Sequence, residues 1–171
     1  VSDRQQFEAL YAEHASAVRA YAMRRGPVAD ADDVVAEVFL IAWRRLQDVP
    51  ADARSWLLAV ARRVQSNARR GSSRREVLRA RLEHERPSAQ GAAPPVDRSL
   101  LEALLGLRES DREALLLVAW EGLANREAAQ VLGVSESTFG VRLHRAKRRL
   151  ARALTDDQEH APDVNTRLEV P

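Results

Sequence analysis

The chain has 171 residues, 45% of them hydrophobic but only 5% aromatic, and its 27 Lys and Arg against 25 Asp and Glu leave a net charge of +2. It has no cysteine and four scattered histidines, which excludes a disulfide framework, a thiol switch and a Cys-based zinc site and leaves no metal-ligand spacing. No apolar run approaches bilayer-spanning length, no signal-peptide pattern opens the sequence, and no β-branched run alternates at the strand period, so the expectation is an all-α, soluble, cytoplasmic protein with no cofactor.

The charges are segregated. Basic residues crowd 62–81 and 142–152, while acids crowd 30–37 and the C-terminal tail. Such asymmetry points to at least two partners of opposite charge.

In chain order, Phe7, Leu10, Tyr11, His14, Val18, Tyr21 and Ala22 recur at helical spacing, so 4–25 reads as one or two helices. Gly26-Pro27 breaks the pattern. Asp30 or Asp32 can cap a new helix carrying Val34, Val35, Val38, Phe39, Ile41, Ala42, Trp43 and Leu46. That helix is apolar on more than one stripe and reads as the centre of a bundle. Acids in its first turn complement the helix dipole, which accounts for Asp32 and Asp33 better than for Glu37.

Residues 47–55 read as a loop around Pro50. A helix then begins near Arg54, with Trp56, Leu57, Val60, Ala61 and Val64 inside. Arg62, Arg63, Gln65, Ser66, Asn67, Arg69 and Arg70 form a donor-rich outer face, and a further charged helix is expected over 74–85. The proline-rich stretch 86–96 reads as a linker. Beyond it, Leu100, Leu101, Leu104 and Leu107 line one helix. Ser110 and Glu113 have the spacing of a capping box for the next, with Leu115–Trp120 as its buried stretch and Gly122 at its end. The acidic, proline-punctuated residues 156–171 read as disordered.

Between these lies NREAAQVLGVSESTFGVRLHRAKRRLAR, residues 125–152. Ala128, Ala129 and Leu132 make one apolar face, Gly133 supplies a left-handed corner, and Ser135 can cap the next helix. That helix puts Phe139, Leu143, Ala146 and Leu150 inside and Arg142, His144, Arg145, Lys147, Arg148, Arg149 and Arg152 outside. A helix–turn–helix with a basic second helix suits the DNA major groove in size and charge.

The order of parts resembles the extracytoplasmic-function class of bacterial sigma factors, in the sigma-70 family. DADDVVAEVFLIAWRRL followed by RSWLLAVARRVQSNARR is similar to sigma domain two, and LRESDREALLLVAWEGLANREAAQVLGVSESTFGVRLHRAKRRLARAL to sigma domain four. The resemblance implies two small helical domains, over 4–85 and 97–155, joined by the short linker. It implies no catalytic activity, RNA polymerase core and promoter DNA as partners, and often a restraining anti-sigma protein. No small-molecule substrate and no membrane insertion are implied.

The family's roles fall on particular positions. Docking on the β′ clamp helices implies Asp33 and Glu37, with Ala36 where a polar contact often sits and Val34 beside them. Domain four also implies contact with the β flap. Reading and opening of the −10 element implies the loop, with Asp48, Asp52 and Arg54, and then Arg62, Arg63, Asn67 and Arg70. Many relatives carry asparagine where Arg63 aligns. The loop would supply a pocket for a flipped base and the helix its donors. Reading of the −35 element implies Gly140, Val141, Arg142, His144 and Arg145, with Lys147 and Arg149 on phosphates. Gly140 stands where relatives carry a basic residue.

A free-standing DNA-binding regulator is the competing reading. It leaves the acids of the central helix and the donor-rich face without a role, and would bind duplex half-sites alone. An enzyme has little support, since the chain has no phosphate-binding glycine loop and no nucleophile with a plausible base.

Overall fold

The computed structural model describes residues 2–80 and 98–160. Among them are seven helices and no strand: α1 (Asp3–Arg25), α2 (Ala31–Arg44), α3 (Ala53–Ala80), α4 (Arg98–Gly106), α5 (Glu109–Ala119), α6 (Asn125–Leu132) and α7 (Glu136–His160). The all-α expectation is met.

α1 is one helix. Its first turn is closed reciprocally: the Gln5 N–H donates to Ser2 Oγ at 3.3 Å, and the Ser2 N–H donates to Gln5 Oε1 at 3.1 Å. Its last turn carries Arg24 and Arg25, where cations complement the helix dipole. Neither Asp30 nor Asp32 caps α2. A 3₁₀ turn over Val28–Asp30 leads straight into it, so Asp30 is already helical, with φ −90° and ψ −6° and no side-chain cap bond. Asp32 instead accepts from Arg19 Nε of α1 at 2.7 Å. That bond holds the Asp32 carboxyl below its ordinary range.

α2 buries Ala31, Val34, Val35, Val38, Phe39 and Ala42 against α1 and α3. α3 runs unbroken to Ala80, so the separate helix expected from 74 is its continuation. Residues 81–85 and the expected linker lie outside the described residues. Leu57 and Leu58 are both fully buried. Successive helical residues point about 100° apart, so α3 is covered on two sides, by α1 and α2 on one and by α6 on the other.

The second unit packs α7 against α4, α5 and α6. Ser110 does not cap α5. Arg108 occupies that position without a side-chain bond, and Glu113 reaches across to α1 instead. Ala114, Leu115 and Leu117 are buried, but Trp120, expected inside, is 45% exposed. α7 continues through His160, so the first residues of the expected tail are helical. Residues 161–171 lie outside the described residues. A single hydrophobic cluster runs through both units.

Candidate nucleic-acid interface

The helix–turn–helix is built as its residues dictate. α6 ends at Gly133 with φ +66°, a conformation that costs an L side chain roughly 1–2 kcal/mol. The Val134 N–H donates to the Ala129 carbonyl at 3.1 Å, and the Thr138 N–H donates to Ser135 Oγ at 3.2 Å, which caps α7. Glu127 accepts from the Ala124 N–H at 2.7 Å and closes the start of α6. Phe139, Leu143 and Ala146 are buried, and Leu150 is half-buried.

The opposite face of α7 is open. Val141, His144, Arg145 and Lys147 are exposed and Arg142 is half-buried. Arg142 and Arg145 line a cleft of about 440 Å³ with Ser137 and Thr138. Nothing lies within 4 Å of a Cβ built on Gly140. Arg149 differs from its neighbours. Its guanidinium is ion-paired with the buried Asp111 of α5, so it ties α7 to α5.

On α3, Arg62, Arg63, Asn67 and Arg70 are exposed together, and Arg70 Nη2 donates to Asn67 Oδ1 at 2.6 Å. Gln65, expected on this face, is 7% exposed and donates instead to the Ala22 carbonyl at 2.9 Å. The preceding loop is braced at both ends. Asp48 accepts from Arg45 Nε at 3.1 Å, and Asp52 accepts from the Ser55 hydroxyl. Arg54 is half-buried, its Nη2 donating to the Glu121 carbonyl at 2.7 Å. Between the loop and α1 lies a cleft of about 490 Å³.

On α2, Asp33, Ala36 and Glu37 are exposed along one face. Val34, placed beside them by the resemblance, is 6% exposed and belongs to the core. The same face continues through Leu40 and Trp43, 41% and 46% exposed. Trp43 stacks edge-on against Phe7 at 5.2 Å, and Tyr11 against Phe39 at 4.7 Å. The sequence reading counts Trp43 among the apolar residues of a central, buried helix and passes over Leu40. The strip's signal was the run Phe39–Trp43, which is too wide for one buried stripe.

Two family models match the chain: "Sigma-70 region 2" over residues 10–75 and "Sigma-70, region 4" over 97–150. SigL, an ECF RNA polymerase sigma factor of Mycobacterium tuberculosis, is 35% identical over 158 residues, covering 86% of this chain and 88% of SigL. The chain belongs to the extracytoplasmic-function sigma factors. It is an alternative sigma factor that directs transcription initiation. The ferric citrate uptake sigma factor FecI of Escherichia coli K12 is similar at 34% identity over 143 residues, 77% of this chain and 81% of FecI. Among solved structures, CnrH in complex with the cytosolic domain of CnrY superposes with a TM-score of 0.62 at 29% identity over 88% of each chain. The fold is also that of RpoE from Bartonella quintana, solved with the anti-sigma factor NepR, at a TM-score of 0.67 and 24% identity over 88% of this chain and 98% of that one.

In this sigma factor the two units are joined by a charged seam. Arg25 Nε donates to Glu113 Oε2 at 2.9 Å, and its Nη1 to Glu121 Oε1 at 2.8 Å. Arg24 Nη2 donates to Glu121 Oε2 at 2.5 Å and the Tyr21 hydroxyl to Glu113 Oε1 at 3.0 Å, while the Gln130 side-chain amide lies 3.1 Å from Ser55 Oγ. The Arg25 guanidinium also lies 3.8 Å over the Tyr21 ring. Burial, reinforced by the neighbouring Glu113 carboxylate, pushes the Tyr21 hydroxyl up from its ordinary value. Glu121 is 2% exposed, yet Arg25 Nη2 and Arg54 Nε remain buried without partners. Sequence reading missed this seam because its partners lie far apart in the chain.

No described helix is long and apolar enough to cross a membrane.

Proposed function

We infer that this sigma factor is a non-catalytic, cytoplasmic protein that binds polymerase core through α2 and reads promoter DNA through α3 and α7. The observation that carries this reading is the pairing in one chain of two open, donor-rich faces. One is the exposed Arg62, Arg63, Asn67 and Arg70 of α3 beside a braced loop over a cleft. The other is the basic outer face of a capped helix–turn–helix.

On this reading the units of 4–85 and 97–155 act on different elements. The first binds the single-stranded −10 element. The loop, with Asp48, Asp52 and Arg54, frames a flipped base, and the α3 donors hold the strand. The second reads the −35 duplex. Arg142 and Arg145 are suited to bidentate contacts, and His144 and Val141 to base edges. Lys147 takes phosphate. Arg149, already paired with Asp111, positions α7. Asp33, Glu37 and Ala36 face the β′ clamp helices, with Leu40 and Trp43 extending that surface, while domain four meets the β flap. An anti-sigma protein is the expected restraining partner, as CnrH has been solved with the cytosolic domain of CnrY bound.

The test is Asn67→Ala in complexes with core polymerase. Strand opening, followed by permanganate reactivity of the −10 thymines, should fall more than closed-complex formation. Equal loss in both would remove α3 from −10 readout.

A further inference from the structure

The cleft beneath the loop has two walls. Leu46, Val49 and Pro50 belong to the loop side, and Leu10, Glu13 and His14 to one face of α1. At about 490 Å³ it falls in the range of small-ligand sites, roughly 300–1,000 Å³. The reading above gives the loop a role in holding a base but gives α1 none.

His14 is the distinctive group of that second wall. Its side chain is 13% exposed, and the Glu13 carboxylate lies 3.8 Å from its Nε2, beyond hydrogen-bond reach. An imidazole offers a donor on one ring nitrogen and an acceptor on the other. A base edge is read by such a donor–acceptor pair. Leu10, Val49 and Pro50 supply apolar surface against which a base face packs. Arg54 also borders the cleft, but its guanidinium is turned to the second unit, where Nη2 donates to the Glu121 carbonyl at 2.7 Å. The cleft therefore combines apolar walls with an imidazole edge, and an extruded base needs both a surface to pack on and a polar group to read it.

We propose that His14 is a specificity-determining residue that reads the edge of one unstacked −10 nucleobase held between α1 and the loop. The proposal rests on the −10 reading of the loop. It makes base choice a joint property of the loop and of a helix some forty residues earlier in the chain.

The experiment is transcription by the full-length protein with core polymerase on a promoter set in which each −10 position carries all four bases. His14→Ala, His14→Gln and Asn67→Ala are compared. His14→Ala should reduce discrimination at one −10 position by about 5-fold or more, the lower bound for a lost base-edge pair. His14→Gln keeps a donor and an acceptor and should restore part of the preference or shift it to another base at that same position. A merely structural histidine would lower output on every promoter alike, with no change in base preference. That result for both His14 variants would overturn the proposal. If Asn67→Ala impairs opening while both His14 variants keep the parental preference, only the role of His14 falls. If none of the three alters −10 behaviour, the −10 reading falls with it.

Discussion

Arg142 and Arg149 lie two turns apart on α7 and carry the same charge, yet their surroundings assign them different work. Arg142, Arg145 and Arg149 line the same open cleft, but Arg149 is held there by its ion pair with the buried Asp111. Arg142→Ala or Arg145→Ala should therefore lower promoter activity by roughly 1–3 kcal/mol at one −35 position and relax preference there. Equal loss on all sequences would mean phosphate contact alone. Arg149→Ala should act on stability, because it strands a buried carboxylate, at about 1–3 kcal/mol in thermal melts. On α2, the double variant Asp33→Ala with Glu37→Ala should reduce affinity for core polymerase with circular dichroism unchanged, since both side chains are exposed. Unchanged affinity would reject α2 as the docking face.

At the scale of elements, Gly140 is the informative position. It sits mid-helix in α7 with open space around it. Gly140→Ala should stabilise the free protein by roughly 0.5–1 kcal/mol, and a thermal melt reads this directly. If promoter output falls despite that gain, the glycine is kept for close approach of the α7 backbone to DNA. If output is unchanged, no such approach occurs. The elements most legible in the sequence are those fixed by local chemistry. The Gly133 corner, the Ser135 cap and the apolar stripe of α7 follow from neighbours a few residues apart. What sequence reading misplaced depends on distant partners. Gln65 looks like an outward polar residue until the Ala22 carbonyl, 43 residues away, claims it. Ser110 and Glu113 have the spacing of a capping box, but Glu113 is drawn to Arg25 and Tyr21 of α1. Trp43 reads as core in the sequence because periodicity does not tell an unpartnered apolar face from a buried one.

At the scale of the molecule, the charged seam sets a problem of reach. Promoter elements centred near −35 and −10 are some 25 base pairs apart, or roughly 85 Å at about 3.4 Å per pair. A compact chain of 171 residues has a radius of gyration of only about 16 Å. On the proposed reading, the units must part for both elements to be read at once. The seam suits that change. It is made of hydrogen-bonded ion pairs and retains two buried unpaired donors, each a penalty of about 1–3 kcal/mol. Removing one member of a buried pair costs about 3–5 kcal/mol, so Glu121→Ala should open the closed arrangement. Small-angle scattering should then give a larger radius of gyration at unchanged helicity. An unchanged radius would show that packing of α6 on α3 holds the units without the seam.

The most direct measurement is run-off transcription by purified bacterial polymerase core on a genomic promoter library, with and without this protein. New start sites sharing upstream −35 and −10 motifs are expected only when it is present. No core binding and no new transcripts, together with footprints on duplex DNA by the protein alone, would contradict the assignment of α2 to polymerase and of α3 and α7 to a promoter.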